Sequence, residues 1–288
     1  MKILLLGKNG QVGKSLVENV DNKQLLISYD SSELNFCNEK IVGDQIRKDK
    51  PDFIINAAAY TNVDQAEKEK SKCFQLNANA VKEIANVAKE INSIFIHFSS
   101  DYVFNGTLSR PYREIDNPDP INIYGKSKLK GEESIIKSSC NFYILRTSWV
   151  VSENGNNFIN TMIKLFNTKN KIEIVSDQYG APTTSDFIAK NVYKLIRKNF
   201  TGSQIFNLTP NSYTNWYSLA KYTHAKLKKL NQDIPRVTFK ELNSEGFETL
   251  AKRPLNSRLD SSKIQKFLNT KFLNWENYIE ELLDKKFK

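Results

Sequence analysis

A hydroxyl, a phenol and an ammonium group stand in this chain at positions suited to reducing a ketone. Tyr124 and Lys128, in the stretch YGKSK, are four residues apart, so on a helix they project from one face within reach of each other. A free tyrosine, with a pKa of about 10, is a poor acid–base catalyst at neutral pH; a neighbouring ammonium stabilises the phenolate and lowers that value. The pair is therefore expected to form a tunable proton donor. That spacing alone also fits a surface tyrosine beside a lysine. Ser100 decides between them: it follows the apolar run Ile94-Phe95-Ile96-His97-Phe98 and can hydrogen-bond the carbonyl oxygen that Tyr124 would protonate. A strand that ends in "SSDYVF" makes sense when its end faces a ligand.

The elements that must carry these groups follow from the hydrophobic pattern. Strand-length apolar runs alternate with helix-length amphipathic segments, the βαβ pattern of a parallel sheet covered on both faces. Strands are expected at 2–6, 25–29, 53–56, 94–98, 142–146 and 171–175, and helices at 11–20, 39–48, 72–90, 121–136 and 156–166. Beyond Val175 the pattern loosens into turns and shorter helices at 184–197, 215–229, 261–267 and 275–285. The expectation is an α/β fold with a doubly wound parallel sheet. Residues 1–175 would form a dinucleotide-binding domain, to which later segments can return. Residues 176–288 would be mainly a smaller substrate-binding lobe.

Directly after the first strand comes GKNGQVG, with Gly7, Gly10 and Gly13, and then a helix. A glycine-rich strand-to-helix turn lets backbone N–H groups approach a pyrophosphate, and the positive helix terminus favours the anion. One additional residue separates the first two glycines relative to the common G-x-G-x-x-G. Asp30 ends the second strand, where an acid accepts hydrogen bonds from ribose hydroxyls and repels a 2′-phosphate, favouring NADH; an ordinary turn aspartate before Ser31-Ser32 fits the residue equally well. NAAAYT, residues 56–61, offers small side chains where a cofactor could lie against backbone.

Composition narrows the function classes. The formal charge is +10, but the lysines alternate with acids along helix-like stretches such as 81–92, which reads as a solvated surface and not as a nucleic-acid site. Cys37, Cys73 and Cys140 lie far apart, and His97 and His224 have no metal-ligand spacing, so neither a disulfide nor a structural metal is expected. The N-terminal apolar run is too short for a signal-peptide core and no segment reaches membrane-span length. A cytoplasmic protein is expected.

With the glycine turn, Ser100, Tyr124 and Lys128 in view, the chain resembles the extended short-chain dehydrogenase/reductases and, more narrowly, the dTDP-4-dehydrorhamnose reductase family. The narrower resemblance rests on GKNGQVG, NAAAYTNVDQAE, SSDYVFNG, PYREIDNPDPINIYGKSKLKGE, RTSWV, GNNFINTM, SDQYGAPT and KRPLNSRLDSSKI, spread over nearly the whole chain. It implies a Rossmann-type fold and a cytoplasmic enzyme that uses NADH or NADPH to reduce the C4 ketone of dTDP-4-dehydro-β-L-rhamnose to dTDP-β-L-rhamnose. By motif, Gly10, Gln11, Val12, Asp30, Asn35, Phe36, Ala59, Tyr60, Thr61, Tyr124 and Lys128 would contact the cofactor, and Asp101 and Trp149, with Ser100, the substrate. Arg253 is a candidate for the diphosphate, because a guanidinium matches phosphate geometry. Taken alone, Trp149 fits a core tryptophan as well.

Some positions depart from the pattern. Ser100 stands where threonine is frequent, and Val151 where an aromatic is common. Ser15 stands where some members carry a glutamate that helps bind magnesium at a dimer interface, so the expectation is no bound metal, with a homodimer left open. Two other readings stay open: a reductase or epimerase of another nucleotide sugar, and a catalytically silent dinucleotide-binding subunit that regulates a partner enzyme.

Overall fold

The structure, a computed structural model, describes residues 1–198, 202–230, 233–246 and 248–287. Five strands, β1 (Lys2–Leu6), β2 (Leu25–Tyr29), β3 (Phe53–Asn56), β4 (Ile94–Ser100) and β5 (Asn141–Thr147), pair in parallel with a sixth, Ser203–Asn207. Across the sheet the order is Ser203–Asn207, β5, β4, β3, β1, β2. The chain leaves β1 to one side for β2 and returns on the other for β3, so a crevice opens at the carboxyl ends between β1 and β3, where doubly wound sheets bind ligands.

Alternation of side chains along each strand divides the apolar core in two. Ile3, Leu5, Ile55, Ile96 and Leu145 face Leu16, Phe187, Val192 and Ile196, from the helices Gln11–Glu18 and Ser185–Lys198. Leu4, Leu6, Ile54, Phe95 and Ile144 face Val42, Ile46, Val81, Ile84 and Ile135 on the opposite side. Both faces are covered, which is why these strands read as nearly continuous apolar runs.

A third cluster lies apart from the sheet and joins Val151, Ile159, Phe166, Ile172, Ile174, Leu219, Trp275 and Ile279. The expected strand Lys171–Val175 belongs here and not to the central sheet: its parallel partner is Thr238–Leu242. The strand Ser203–Asn207 went unforeseen because only Ile205 and Phe206 of its five residues are apolar, a pattern that suffices for an edge strand, with one side unpaired. The helix expected over 72–90 starts earlier, at Lys70, and is interrupted by a π-helical turn at Gln75–Asn79. Among the described residues no helix is long and apolar enough to cross a membrane.

Candidate active site

Strand β4 runs two residues past its apolar stretch because Ser99 and Ser100 stay in register with Arg146 and Thr147 of β5. Their side chains point to opposite faces, as a strand requires. Ser99 donates to the buried carboxylate of Glu132. Ser100 donates to Asp101 Oδ1 at 2.8 Å and accepts from the Tyr102 amide at 3.1 Å.

The helix Ile123–Ser138 starts where Asn122 Oδ1 accepts from the Gly125 amide at 2.8 Å, an N-cap that fixes the first turn. Tyr124, Lys128 and Glu132 then follow at intervals of four on one face. The Tyr124 ring meets Tyr102 edge-on, with centroids 5.8 Å apart, and the Ser100 hydroxyl lies beside its phenol and favours ionisation. Lys128 is 2% exposed and donates from Nζ to the Phe98 carbonyl at 2.5 Å.

The protonation states correct one expectation. The Tyr124 phenol is not acidified: burial raises its pKa above the ordinary value, and the nearby Asp101 carboxylate adds to the rise. The Lys128 charge is committed to the Phe98 carbonyl instead. Burial also lowers the Lys128 ammonium to about 8, with Glu132 acting in the opposite sense. Asp101, 4% exposed, is pushed up to about 6 by burial, against the hydroxyls of Ser257 and Ser100. The cluster therefore holds a protonated phenol across the neutral range and an ammonium below about pH 8.

At the other end of the crevice the glycine turn is tightly built. Gly7 has φ of +90°, and a Cβ on Gly13 would lie 2.1 Å from the Gly7 carbonyl oxygen, so neither position has room for a side chain. Gly10 is the N-cap of the helix Gln11–Glu18 and makes no side-chain cap, which leaves the first-turn N–H groups for an anion. A dinucleotide pyrophosphate fits this cradle. Gln11 Oε1 ties the turn to a later loop, accepting from Ser152 Oγ at 2.7 Å and Asn157 Nδ2 at 2.9 Å.

A cavity of about 690 Å³ runs from this turn to the serine, tyrosine and lysine. Gly10, Gln11, Val12, Ala59, Thr61, Ser100, Asp101, Tyr124, Lys128, Trp149 and Arg253 all line it. Other candidates lie outside its wall. Asp30 closes a local turn, accepting from the Ser32 amide at 2.8 Å and the Ser32 hydroxyl at 2.5 Å, and receives Asn9 Nδ2 at 2.5 Å. Asn35 accepts from the Cys37 amide, and Phe36 is buried in the core. Tyr60 directs its hydroxyl to Glu69 at 2.8 Å. Ser15 is buried and donates to Ser185 Oγ at 2.7 Å.

Trp216, on the wall, and Asn77, behind it, were not singled out from the sequence. Trp216 stacks on Trp149 at 3.5 Å between ring centroids, with planes 13° apart. Trp149 itself has φ of +48°, an uncommon conformation for a bulky residue, and a Cβ on Gly180 would lie 2.6 Å from its indole. Asn77, on the π-helical turn, accepts from the Tyr60 amide at 2.9 Å and donates to the Tyr60 carbonyl and to Ser127 Oγ, both at 3.0 Å. It thereby locks the Ala59–Thr61 loop to the helix that carries Tyr124. π-turns recur at functional sites, but apolar periodicity does not reveal one. Two buried polar atoms on lining residues, Asp101 Oδ2 and Thr147 Oγ1, have no hydrogen-bond partner among the described residues, as expected where a polar ligand completes the site.

Comparison with known proteins agrees with this geometry. The family model described as RmlD substrate binding domain matches residues 1–287. The dTDP-4-dehydrorhamnose reductase of Aggregatibacter actinomycetemcomitans is 37% identical over 289 residues, covering 98% of both chains. That of Salmonella typhimurium is 35% identical over 294 residues, covering 100% of this chain and 98% of the relative. The crystal structure of the Bacillus anthracis dTDP-4-dehydrorhamnose reductase in complex with NADP superposes with a TM-score of 0.91 at 30% identity, covering 99% of each chain. A Thermus thermophilus UDP-glucose 4-epimerase, at 12% identity and a TM-score of 0.82, shares the fold alone. Full-length agreement in sequence and in backbone leads to one assignment: this chain belongs to the RmlD substrate binding domain family, that of the dTDP-4-dehydrorhamnose reductases.

Proposed function

We propose that this protein reduces the C4 ketone of dTDP-4-dehydro-β-L-rhamnose to dTDP-β-L-rhamnose with NADH or NADPH. The observation that carries the reading is the convergence of Ser100, Tyr124 and Lys128 on one cavity that also contains the glycine turn. When bound, the nicotinamide dinucleotide supplies the hydride. The chain supplies the rest. Ser100 turns its hydroxyl to the substrate carbonyl and fixes the ketone, and Tyr124 delivers its phenolic proton to the C4 oxygen as that oxygen gains charge. The phenol starts protonated across the neutral range, as a proton donor must. Lys128, anchored on the Phe98 carbonyl, holds the nicotinamide ribose. Asp101, with one oxygen unpartnered, accepts from a sugar hydroxyl, and Trp149 forms an aromatic wall.

In this reading the sheet with its covering helices serves mainly the dinucleotide, and the cluster that joins residues 151–175 to Leu219, Trp275 and Ile279 serves mainly the sugar nucleotide, so the expected division at residue 175 gives way to one in which the two parts interleave. The enzyme works in the cytoplasm, and a homodimer remains compatible. The test is a mixture of purified protein, NADH or NADPH, and the 4-keto sugar nucleotide, followed at the nicotinamide absorbance band with the product identified. Loss of absorbance and appearance of dTDP-β-L-rhamnose are expected. No loss with either dinucleotide would overturn the proposal, and faster turnover of a different 4-keto nucleotide sugar would reassign the substrate.

A pH profile gives a second check. The ammonium form of Lys128 is the useful one, so kcat should fall as pH rises through about 8, where burial has moved this group. Tyr124, shifted the other way, contributes no loss of its proton in that window. A rate flat from pH 6.5 to about 9.5 would show that the Lys128 charge is not needed.

A further inference from the structure

Residues 251–253 are fastened to three separate elements of the site. The Ala251 amide donates to Asp64 Oδ1 at 3.1 Å, and Arg253 Nη2 donates to Asp64 Oδ2 at 2.6 Å. Arg253 Nη1 lies 3.4 Å from the Tyr102 hydroxyl, just after β4. The Lys252 carbonyl accepts from Asn122 Nδ2 at 2.8 Å, and Asn122 is also the cap of the helix that carries Tyr124. Asp64 sits on the short helix Val63–Ala66, which follows the loop after β3. Both of its carboxylate oxygens are spent on this one distant segment.

Arg253 lines the cavity, whereas Asp64 does not. A guanidinium has five N–H donors in a rigid fork, so two contacts leave others for an anion. We infer that Asp64 is a positioning residue: it holds the Arg253 fork in place for the diphosphate of the nucleotide sugar, and so sets affinity for that substrate without touching the reacting atoms. The inference rests on the reading that this cavity takes a nucleotide sugar. Stability alone accounts poorly for the pair, because its side chains are 37% and 27% exposed and exposed ion pairs contribute little. A carboxylate near a diphosphate also opposes binding by its charge. What it offers in return is order, since an arginine fixed beforehand loses less rotamer freedom when the anion arrives.

Steady-state kinetics on the full chain test this with Asp64→Asn, Asp64→Glu, Arg253→Lys and the double variant Asp64→Asn/Arg253→Lys. Asp64→Asn should raise KM for the nucleotide sugar roughly tenfold, leaving kcat and KM for the dinucleotide within about twofold. Asp64→Glu should recover most of the affinity. Arg253→Lys should raise the same KM, and the double variant should be no worse than Arg253→Lys, because the holder matters only through what it holds. An unchanged or lowered nucleotide-sugar KM in Asp64→Asn, additive losses in the double variant, or a rise of both KM values together with a lower unfolding temperature would each overturn the inference. A wild-type protein without turnover removes the reading beneath it, whereas an active wild type with an indifferent Asp64→Asn variant removes the inference alone.

Discussion

Replacing Tyr124 by phenylalanine is expected to lower kcat by about 10²–10⁴-fold, the usual worth of a positioned general acid. The substitution removes one oxygen and leaves the ring, so the edge-on contact with Tyr102 survives and the fold should be undisturbed. Dinucleotide affinity should change little, since the glycine turn and the Asn77-locked loop are untouched. The loss therefore belongs in kcat and not in KM. Its size follows from the chemistry: hydride arrival leaves charge on the C4 oxygen, and a phenol held beside it relieves that charge by giving up its proton. Without that proton the alkoxide must form in a cavity that Asp101 also lines, and that carboxylate repels it when ionised. Single-turnover measurements with saturating dinucleotide check the prediction, and an unaltered rate would place the proton donor elsewhere.

The second large effect is on stability. Glu132 and Arg146 form a buried bidentate pair, Nε to Oε1 at 3.0 Å and Nη2 to Oε2 at 2.6 Å, with side chains 1% and 3% exposed. Ser99 donates to the same carboxylate, and the guanidinium lies 5.1 Å above the Phe104 ring. Glu132→Gln would strand the Arg146 charge out of reach of water. Breaking one side of a buried pair costs about 3–5 kcal/mol, and that loss is expected in urea unfolding. Adding Arg146→Met should restore much of it, because two neutral side chains carry no uncompensated charge. A single-variant loss below about 1 kcal/mol would mean that solvent reaches Arg146, against its burial. The pair lies one helical turn below Lys128 and joins the ends of β4 and β5, so the same substitution should also lower activity by loosening Ser100.

Much of this site is legible in residue order. The spacing of Tyr124 and Lys128 follows from 3.6 residues per helical turn, although the helix expected over 121–136 runs from Ile123 to Ser138, behind the cap Asn122. Gly7, Gly10 and Gly13 after a strand predict a tight turn, and the close approach of Gly13 to Gly7 shows why those two positions take no side chain. Less was visible where polar residues are buried or apolar ones are few. Ser99 and Ser100 extend β4 because partners across the sheet satisfy them, which hydropathy cannot register. Ser203–Asn207 is short of apolar residues and gains its place by pairing with β5. Asp30 was equally a ribose ligand or a turn residue, and in this structure its oxygens are engaged by Asn9, Ser32 and Glu33.

From residue order alone came the α/β class, the glycine-rich turn and the placing of Ser100, Tyr124 and Lys128 on a strand end and a helix, because repeat periods and backbone sterics act over a few residues and leave their mark locally. The tertiary structure decided which distant groups meet, as in Trp149 with Trp216 and Asp64 with Arg253. It also decided the charge state of the site. Whether a lysine acidifies a tyrosine depends on how far each is withdrawn from water and on what else claims the ammonium, and both are properties of the packed molecule, where desolvation outweighs proximity along the helix.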